Sequence, residues 1–249
     1  MWDAVISVFI NILFFIYDIL WNDFGLAIIA FTLIIRLLTY PLTAKQMKST
    51  QAMQDLQQTK EWQEIQKKYK KDKEKLSQEQ MRLYKEHGVS PFGSCLPTLI
   101  QFPVIIALYQ SITRSLAVTP LQLLDLSKHI SYGAALIPLN RQFLWMDLSQ
   151  PERIYIAGFG LPLLAVLVAA TSYLQTKMMT PATPTAGDQG SQMTQMMSLY
   201  MPLFMGWLAY SFPSGLAIYF ITSNLASIIQ YALMGRLDWK NLLPKSLQK

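Results

Sequence analysis

The sequence predicts an all-α integral membrane protein with five transmembrane helices, an N-terminal interfacial helix and a cytoplasmic helical hairpin. Three observations support this fold class. Hydrophobic residues make up 52% of the 249 residues and charged residues only 14%, whereas soluble chains carry about 25% charged residues. Several apolar runs reach the length of about 20 residues that a helix needs to cross a bilayer. The basic residues concentrate in a few polar segments between these runs.

The N-terminal segment, residues 1–23, is apolar but interrupted by Asn11 and Asp18. Only Trp21, Asn22 and Asp23 separate it from the next apolar run. Three residues are a short connection between two antiparallel spans. We therefore interpret it as an extracytoplasmic interfacial helix, with a further span as the alternative. Its start, MWDAVISV, has neither a basic signal-peptide region nor an arginine-rich transit pattern, which favours a bacterial source.

The remaining segments follow from the alternation of apolar and polar composition. They are a first span 24–43, a polar block 44–93, a second span 95–118, an extracytoplasmic loop 119–153, a third span 154–176, a cytoplasmic loop 177–192, a fourth span 193–212, a fifth span 216–234 and a cytoplasmic tail 235–249. Between the fourth and fifth spans, Pro213, Ser214 and Gly215 leave room only for a tight turn.

The polar block 44–93 is predicted to form a two-helix hairpin outside the membrane. Apolar residues recur at helical spacing in its first part, and a second short helix is predicted over Ser77–Glu86. Ser77 with Gln80 fits a capping box, and Gly88 fits a helix stop. A basic hairpin of this kind either lies on the lipid surface or docks a partner; the candidate docking residues are Lys60, Lys67, Lys68, Lys70 and Lys71.

The distribution of positive charge predicts the orientation. The hairpin carries eleven, the 177–192 loop one and the tail four of the 21 lysines and arginines, whereas the 119–153 loop holds three. The positive-inside rule then places the hairpin and the C-terminus in the cytoplasm and the N-terminus outside. This topology accounts for most of the net charge of +6 without any nucleic-acid partner.

Arg36 is the most informative residue, because it lies inside the first predicted span. An arginine at the centre of a membrane helix costs about 3 kcal/mol on insertion scales, so it usually marks a functional site. Arg36 lies about 10 Å from the predicted cytoplasmic end, at 1.5 Å per residue. No Asp or Glu occurs in any of the five predicted spans. We predict that it faces a hydrated groove rather than snorkelling to the surface.

Polar residues in the other spans fall in the same, inner half of the membrane. Thr32, Arg36, Thr39 and Thr43 would share one helical stripe, and Ser223, Asn224, Ser227 and Gln230 would form a polar face on the fifth span. Hydroxyls and amides of this kind also hold membrane helices together, so packing is the alternative to groove lining for each of them. The candidate groove residues are Arg36, Thr32, Thr39, Gln101, Gln175, Ser223 and Asn224.

Three segments carry a resemblance to a known family: GLAIIAFTLIIRLLTYPLTAKQMKS, PFGSCLPTLIQFPVIIALY and MPLFMGWLAYSFPSGLAIYFITSNL. In these segments, and over about residues 22–236, the chain resembles the YidC-type membrane protein insertases of the Oxa superfamily. The resemblance implies a five-span core and an arginine groove open to the cytoplasm and to lipid. Acidic residues in a substrate's tail would be drawn to the arginine, and the substrate helix would leave along the third and fifth spans.

The same resemblance assigns individual residues. Arg36 matches the family's arginine and Gln175 its polar third-span position, whereas Tyr219 and Phe220 stand where the family often has an aromatic pair with tryptophan. The large extracytoplasmic domain of some members and a long basic ribosome-binding tail are not in this sequence. The implied partners are nascent membrane proteins and the lipid bilayer, with the Sec translocon, the signal recognition particle system and the ribosome as further candidates.

Two other classes of function fit the sequence less well. An anion transporter using Arg36 should have a second polar cluster near the outer side and an inverted repeat, and neither is evident. An intramembrane enzyme or a metal site is not favoured either. His87 and His129 lie in loops outside any HExxH pattern, and Cys95 is the single cysteine. We therefore expect no enzymatic activity, no metal and no bound cofactor in a protein of the bacterial plasma membrane.

Overall fold

The computed structural model describes residues 2–69, 72–89, 96–116, 119–130, 137–156, 159–179 and 189–234. These residues are mainly helical, as predicted. In chain order the helices are α1 Trp2–Ile19, α2 Phe24–Leu38, α3 Tyr40–Gln57, α4 Lys60–Lys68, α5 Lys73–Glu86, α6 Leu96–Ser115, α7 Pro120–His129, α8 Leu163–Met179, α9 Gln189–Ser211 and α10 Ser214–Leu233. Four short strands, β1 Gln142–Phe143, β2 Met146–Asp147, β3 Ile154–Ile156 and β4 Phe159–Leu161, pair as two antiparallel hairpins.

The chain divides into two compact units. The first contains Met1–Leu37, Val104–Thr180 and Gln195–Lys249, and the second contains Leu38–Pro103 and Pro181–Thr194. The predicted tail 235–249, most of the predicted loop 177–192, and Lys70, Lys71 and Cys95 lie outside the described residues.

The first unit is held together by one large apolar cluster. In α1 the buried residues follow helical spacing, and they pack with buried side chains of the other helices; the largest are Ile6, Ile10, Leu13, Phe14, Phe24, Ile28, Phe31, Leu108 and Ile112. The opposite face of α1 is also apolar, with Val8 55% and Ile19 61% exposed. A helix that is apolar on both faces is typical of a membrane environment.

The number of spans is not confirmed. Among the described residues, α1 and α10 are each long and apolar enough to cross a membrane, and a third span results if α2 and α3 count as one interrupted segment. The helix α8 is apolar but shorter. The interfacial position of α1 stays a prediction, because length and composition alone would also allow it to cross.

The helix of the first predicted span is interrupted before the predicted end of the span at Thr43. The helix α2 stops at Leu38, and the chain resumes at Tyr40 as α3. Pro41, which has no amide hydrogen, therefore occupies the first turn of α3, where proline is tolerated, instead of the last turn of a longer helix. The predicted polar stripe is consequently wrong as a single helical face: Thr32 and Arg36 lie on α2, Thr39 at the break and Thr43 on α3.

The first part of the third predicted span is not helical among the described residues. The strands β3, Ile154–Ile156, and β4, Phe159–Leu161, pair with each other there, and α8 begins at Leu163. Ile154 and Ile156 are β-branched, and Pro162 directly precedes the helix, so the segment favours a strand over a helix. Within the predicted loop 177–192, α8 runs on to Met179 and α9 begins at Gln189, so helices replace parts of the predicted loop.

The second unit contains the hairpin of α4 and α5. The two helices pack over a small apolar core of Leu56, Trp62 and Leu83. The predicted capping box at Ser77 is wrong, because α5 begins at Lys73 and Asp72 accepts from the Lys75 amide at 3.1 Å. Asp72 is favoured as the N-cap residue because its carboxylate accepts a hydrogen bond from the amide and also complements the positive end of the helix dipole.

The predicted stop at Gly88 is confirmed. Gly88 has φ +63°, a left-handed conformation that glycine adopts without a Cβ penalty. The amide of Gly88 bonds to the Lys85 carbonyl at 3.2 Å, and that of Val89 bonds to the Tyr84 carbonyl at 2.8 Å. This pair of bonds is a Schellman motif, which ends α5 by satisfying its last carbonyl groups.

Close packing of α8 and α9 yields a test of the fold. A Cβ at Gly206 on α9 would lie 2.9 Å from Ala169 Cβ and 3.2 Å from the Ala165 carbonyl oxygen on α8, the small-residue packing common between membrane helices. Gly206→Leu should therefore lower the free energy of unfolding by about 1–3 kcal/mol through overpacking, measured as a fall in the thermal midpoint in detergent. Leu203→Ala is the control, because Leu203 on the same helix is 57% exposed. Equal midpoints for the parent protein and Gly206→Leu would contradict this packing.

Candidate functional site

The guanidinium of Arg36 is held by the last helix of the first unit. Arg36 lies in the last turn of α2 and is half-buried. Its Nε donates to the Ser223 hydroxyl of α10 at 3.2 Å, and its Nη2 donates to the same oxygen. Ser223 is only 4% exposed. The sequence-predicted pair of Arg36 and Ser223 is thus brought together.

A second side chain of α10 contacts the main chain of the same arginine. Gln230 Nε2 donates to the Arg36 carbonyl oxygen at 3.1 Å, and Gln230 is 7% exposed. Between the two contact residues lies Ser227, which is buried and donates to the Ser223 carbonyl of its own helix at 2.9 Å. Ser223, Ser227 and Gln230 follow i, i+4, i+7 spacing, so they share one face of α10. The contact of Gln230 with Arg36 is not among the predicted site contacts.

Asn224 points to a different neighbour. Its Nδ2 donates to Thr171 Oγ1 at 3.1 Å and to Ser172 Oγ at 2.9 Å, both on α8. Successive residues of a helix are about 100° apart, so Ser223 can face α2 while Asn224 faces α8. For Asn224 this geometry favours the packing alternative over groove lining.

The other candidate groove residues have separate surroundings. Thr32 is 1% exposed, and its hydroxyl donates to the Ile28 carbonyl of its own helix at 2.6 Å. Gln175 is half-buried near the C-terminal end of α8. Thr39 lies at the break after α2, where its carbonyl accepts from the Thr43 amide at 2.9 Å and from the Thr43 hydroxyl at 3.0 Å. Gln101 lies on α6, but its side chain is outside the described ones.

Burial along α10 is asymmetric. All residues from Ser214 to Phe220 are buried, whereas Leu225, Ile229 and Leu233 in the second half are 45%, 58% and 77% exposed. These three apolar residues recur every four positions and so line one stripe. The part of α10 that contacts Arg36 therefore belongs to the half with an open side.

The opposite end of α10 is bonded to the predicted loop 119–153 through contacts that the sequence analysis did not predict. The amides of Ser214 and Gly215 donate to the carbonyls of Gln150 and Leu148 at 2.9 and 3.2 Å. Glu152, which is 8% exposed, accepts from the Leu164 amide at the start of α8 at 3.1 Å and from Trp145 Nε1 at 3.3 Å. A carboxylate at a helix N-terminus is favoured by the helix dipole. The sequence signal for this contact is the acidic Glu152, which stands shortly before the apolar residues of α8.

A cavity of about 310 Å³ lies at this closed end of the first unit. It is lined by Thr113, Leu116, Thr119, Gln122, Ser149, Gln150 and Pro213. None of the predicted site residues lines this cavity. The candidate site around Arg36 is described by its contacts between α2 and α10.

The candidate docking lysines of the second unit lie on α4. Lys60, Lys67 and Lys68 are exposed, and the Lys68 ammonium lies 5.3 Å from the centre of the Tyr69 ring. Lys67 and Lys68 belong to the last turn of α4, where positive charge complements the helix dipole.

The apolar helices and the polar contacts between them define a helical integral membrane protein. The chain belongs to the family of the 60Kd inner membrane protein, whose model matches residues 15–240. It is 36% identical to the membrane protein insertase YidC of Clostridium tetani, with 96% of this chain and 95% of that protein covered. It is 36% identical to YidC of Oceanobacillus iheyensis, covering 89% and 82%, and 33% identical to the insertase MisCA of Bacillus subtilis, covering 96% and 81%.

The fold is also similar to a solved structure. A crystal structure of an active YidC insertase with its first transmembrane domain resolved matches with a TM-score of 0.60 and 29% identity. The match covers 94% of this chain and 46% of that chain, so this chain spans less than half of that protein. The predicted resemblance to the YidC-type family is confirmed.

The two hydrogen bonds from Asn224 to α8, called the Asn224 bridge, can be tested by mutation. Asn224→Leu should remove both hydrogen bonds to α8 and lower the free energy of unfolding by about 1 kcal/mol, because hydrogen bonds between membrane helices average about 0.6 kcal/mol each. A double-mutant cycle with Ser172→Ala should give a coupling energy above zero. Leu225→Ala, at a 45% exposed neighbour, is the control. Strict additivity of Asn224→Leu and Ser172→Ala would argue against the bridge.

Proposed function

We propose that this chain is a membrane protein insertase. It receives hydrophobic segments of nascent membrane proteins in a hydrated, cationic groove beside Arg36 and releases them sideways into the bilayer. The observation that carries the proposal is the position of Arg36, half-buried in an apolar helix and held by Ser223. The relatives named as insertases, at 33–36% identity over most of the chain, support the same function.

The charge of Arg36 gives the groove its selectivity. The Ser223 hydroxyl accepts a hydrogen bond from the guanidinium but carries no charge that would cancel it. Coulomb attraction is stronger in a partly apolar site than in bulk water. An Asp or Glu in the tail of an incoming segment is therefore attracted to Arg36, and this offsets part of the cost of moving the tail into the membrane.

The exposed apolar faces of α8 and α10 supply the path for release. Val166 and Leu167 on α8 are 59% and 41% exposed, and Leu225 and Ile229 on α10 are 45% and 58% exposed. A hydrophobic segment leaving the groove exchanges these side chains for lipid tails of similar polarity, so the exchange needs no energy source. The process involves no covalent step and no bound cofactor.

The orientation follows from the segregated charge. The protein lies in a bacterial plasma membrane with its N-terminus outside and its C-terminus in the cytoplasm, since basic segments stay on the cytoplasmic side. The groove then opens to the cytoplasm, where nascent segments arrive.

Removing the charge of Arg36 tests this function. Arg36→Ala should reduce insertion of single-span substrates with acidic tails by about tenfold, the effect of losing one charge-assisted contact of about 1.4 kcal/mol. Arg36→Lys should retain more activity, because it keeps the charge but loses the forked geometry. The measurement is complementation and substrate insertion in cells depleted of their own insertase.

The control for that experiment is the same substrate with its tail Asp residues changed to Asn. Its insertion should differ little between the parent protein and Arg36→Ala. Full insertion of the acidic-tail substrate by Arg36→Ala would show that the charge is dispensable and would overturn the proposed mechanism.

The exposed lysines of α4 are proposed to dock the machinery that delivers substrates. The ribosome, the signal recognition particle system and the Sec translocon are the candidate partners, and ribosomes offer an anionic surface suited to a basic helix. Lys67→Glu with Lys68→Glu should weaken co-purification with translating ribosomes severalfold and more strongly at low salt, because exposed charges are screened by ions. Lys75→Glu with Lys85→Glu, which changes two exposed lysines of α5 and alters the net charge equally, is the matched control. Equal losses for both variants would indicate that net charge matters rather than the α4 surface.

A further inference from the structure

Gln230 is buried beside Arg36, and the proposed groove chemistry does not use it. We propose that Gln230 is a positioning residue for Arg36: it fixes the main chain from which the guanidinium extends and so sets the charge selectivity of the groove. This inference rests on the proposed function, because the selectivity it controls is that of insertion.

The contact lies at a point where α2 needs an external donor. Arg36 is among the last four residues of α2, which ends at Leu38. The last four carbonyls of a helix have no intrahelical amide partner. Gln230 Nε2 donates to the Arg36 carbonyl at 3.1 Å and thereby ties the end of α2 to α10.

Two bonds from one face of α10 then act on the same residue. Ser223 holds the side chain of Arg36, and Gln230, two helical turns later, holds its main chain. The bond from Ser223 acts on the direction of the guanidinium, and the bond from Gln230 acts on the main-chain position from which it extends.

The other half of the Gln230 amide argues against a purely structural role. Gln230 Oε1 is buried and has no hydrogen-bond partner among the described residues. Burying a carbonyl oxygen without a donor is unfavourable. An unbranched apolar side chain of similar length would fill the same space without this cost. Stability alone therefore does not explain a glutamine here, whereas donation to Arg36 does.

The test is Gln230→Met, which keeps the length of the side chain and removes both the donor and the orphan oxygen. In cells depleted of their own insertase, Gln230→Met should reduce insertion of an acidic-tail, single-span substrate by about two- to tenfold, the range of one hydrogen bond. Insertion of the matched substrate with Asn in place of Asp should be unchanged. The thermal midpoint of the purified variant should stay close to that of the parent protein, because removal of the buried Oε1 offsets the loss of the donor to the Arg36 carbonyl.

Two further variants separate positioning from packing. Ser227 is a buried polar residue on the same face of α10, and among the contacts described its hydroxyl bonds only within its own helix. Ser227→Ala should therefore leave unchanged the ratio between insertion of the acidic-tail substrate and insertion of the substrate with Asn in place of Asp. The double variant Arg36→Ala with Gln230→Met should be no worse than Arg36→Ala alone, because Gln230 acts through Arg36.

Each other outcome is decisive. Equal losses for acidic and neutral tails, a lowered thermal midpoint, or additive losses in the double variant would overturn the inference in favour of a structural role. An inert Gln230→Met beside an impaired Arg36→Ala would overturn the inference and leave the proposed function standing. An inert Arg36→Ala would overturn both.

Discussion

The structure of the first unit depends on keeping one positive charge inside an apolar helix. An arginine costs about 3 kcal/mol at the centre of a membrane helix on insertion scales. Arg36 lies in the last turn of α2, where polar groups of α10 contact it. The Ser223 hydroxyl accepts from the guanidinium, and Gln230 donates to the carbonyl of the same residue. The Ser223 hydroxyl solvates the guanidinium without cancelling its charge, because a hydroxyl is neutral, whereas Gln230 ties the main chain of the arginine to α10. A guanidinium that is solvated by a neutral hydroxyl still attracts an anion.

The helix α10 organises the surroundings of this charge because each of its faces meets a different neighbour. Ser223 and Gln230 face α2, Asn224 faces α8, and the amides of Ser214 and Gly215 bond to the 148–150 loop. The first half of the helix is enclosed, whereas Leu225, Ile229 and Leu233 of the second half are exposed. One helix thus closes the unit at one end and leaves an apolar stripe open beside the charge at the other. That arrangement suits a segment that enters beside Arg36 and leaves sideways.

Much of this could be predicted from the sequence, for physical reasons that also explain the failures. Hydrophobic runs and segregated charge predict a helical membrane protein, and Arg36 is conspicuous because charge is rare in such runs. The break at Thr39 and the hairpin from Ile154 to Leu161 were missed, because apolar composition does not distinguish a strand from a helix over a short run. Ser223 and Asn224 are adjacent, and only the positions of α2 and α8 decide which of them meets Arg36. The contact of Gln230 with the Arg36 carbonyl oxygen joins residues that are 194 positions apart, so no local pattern predicts it.

The measurement that tests the central claim most directly is a charge exchange between the protein and its substrate. Arg36→Glu would be combined with a single-span substrate whose tail Asp residues are replaced by Lys, and insertion would be followed in cells depleted of their own insertase. The account predicts that Arg36→Glu rejects the acidic-tail substrate and inserts the basic-tail substrate better than the parent protein does, because attraction between opposite charges drives entry. If Arg36→Glu loses both substrates equally, or inserts the acidic tail as well as the parent protein, then the charge of Arg36 does not select the substrate and the account is contradicted.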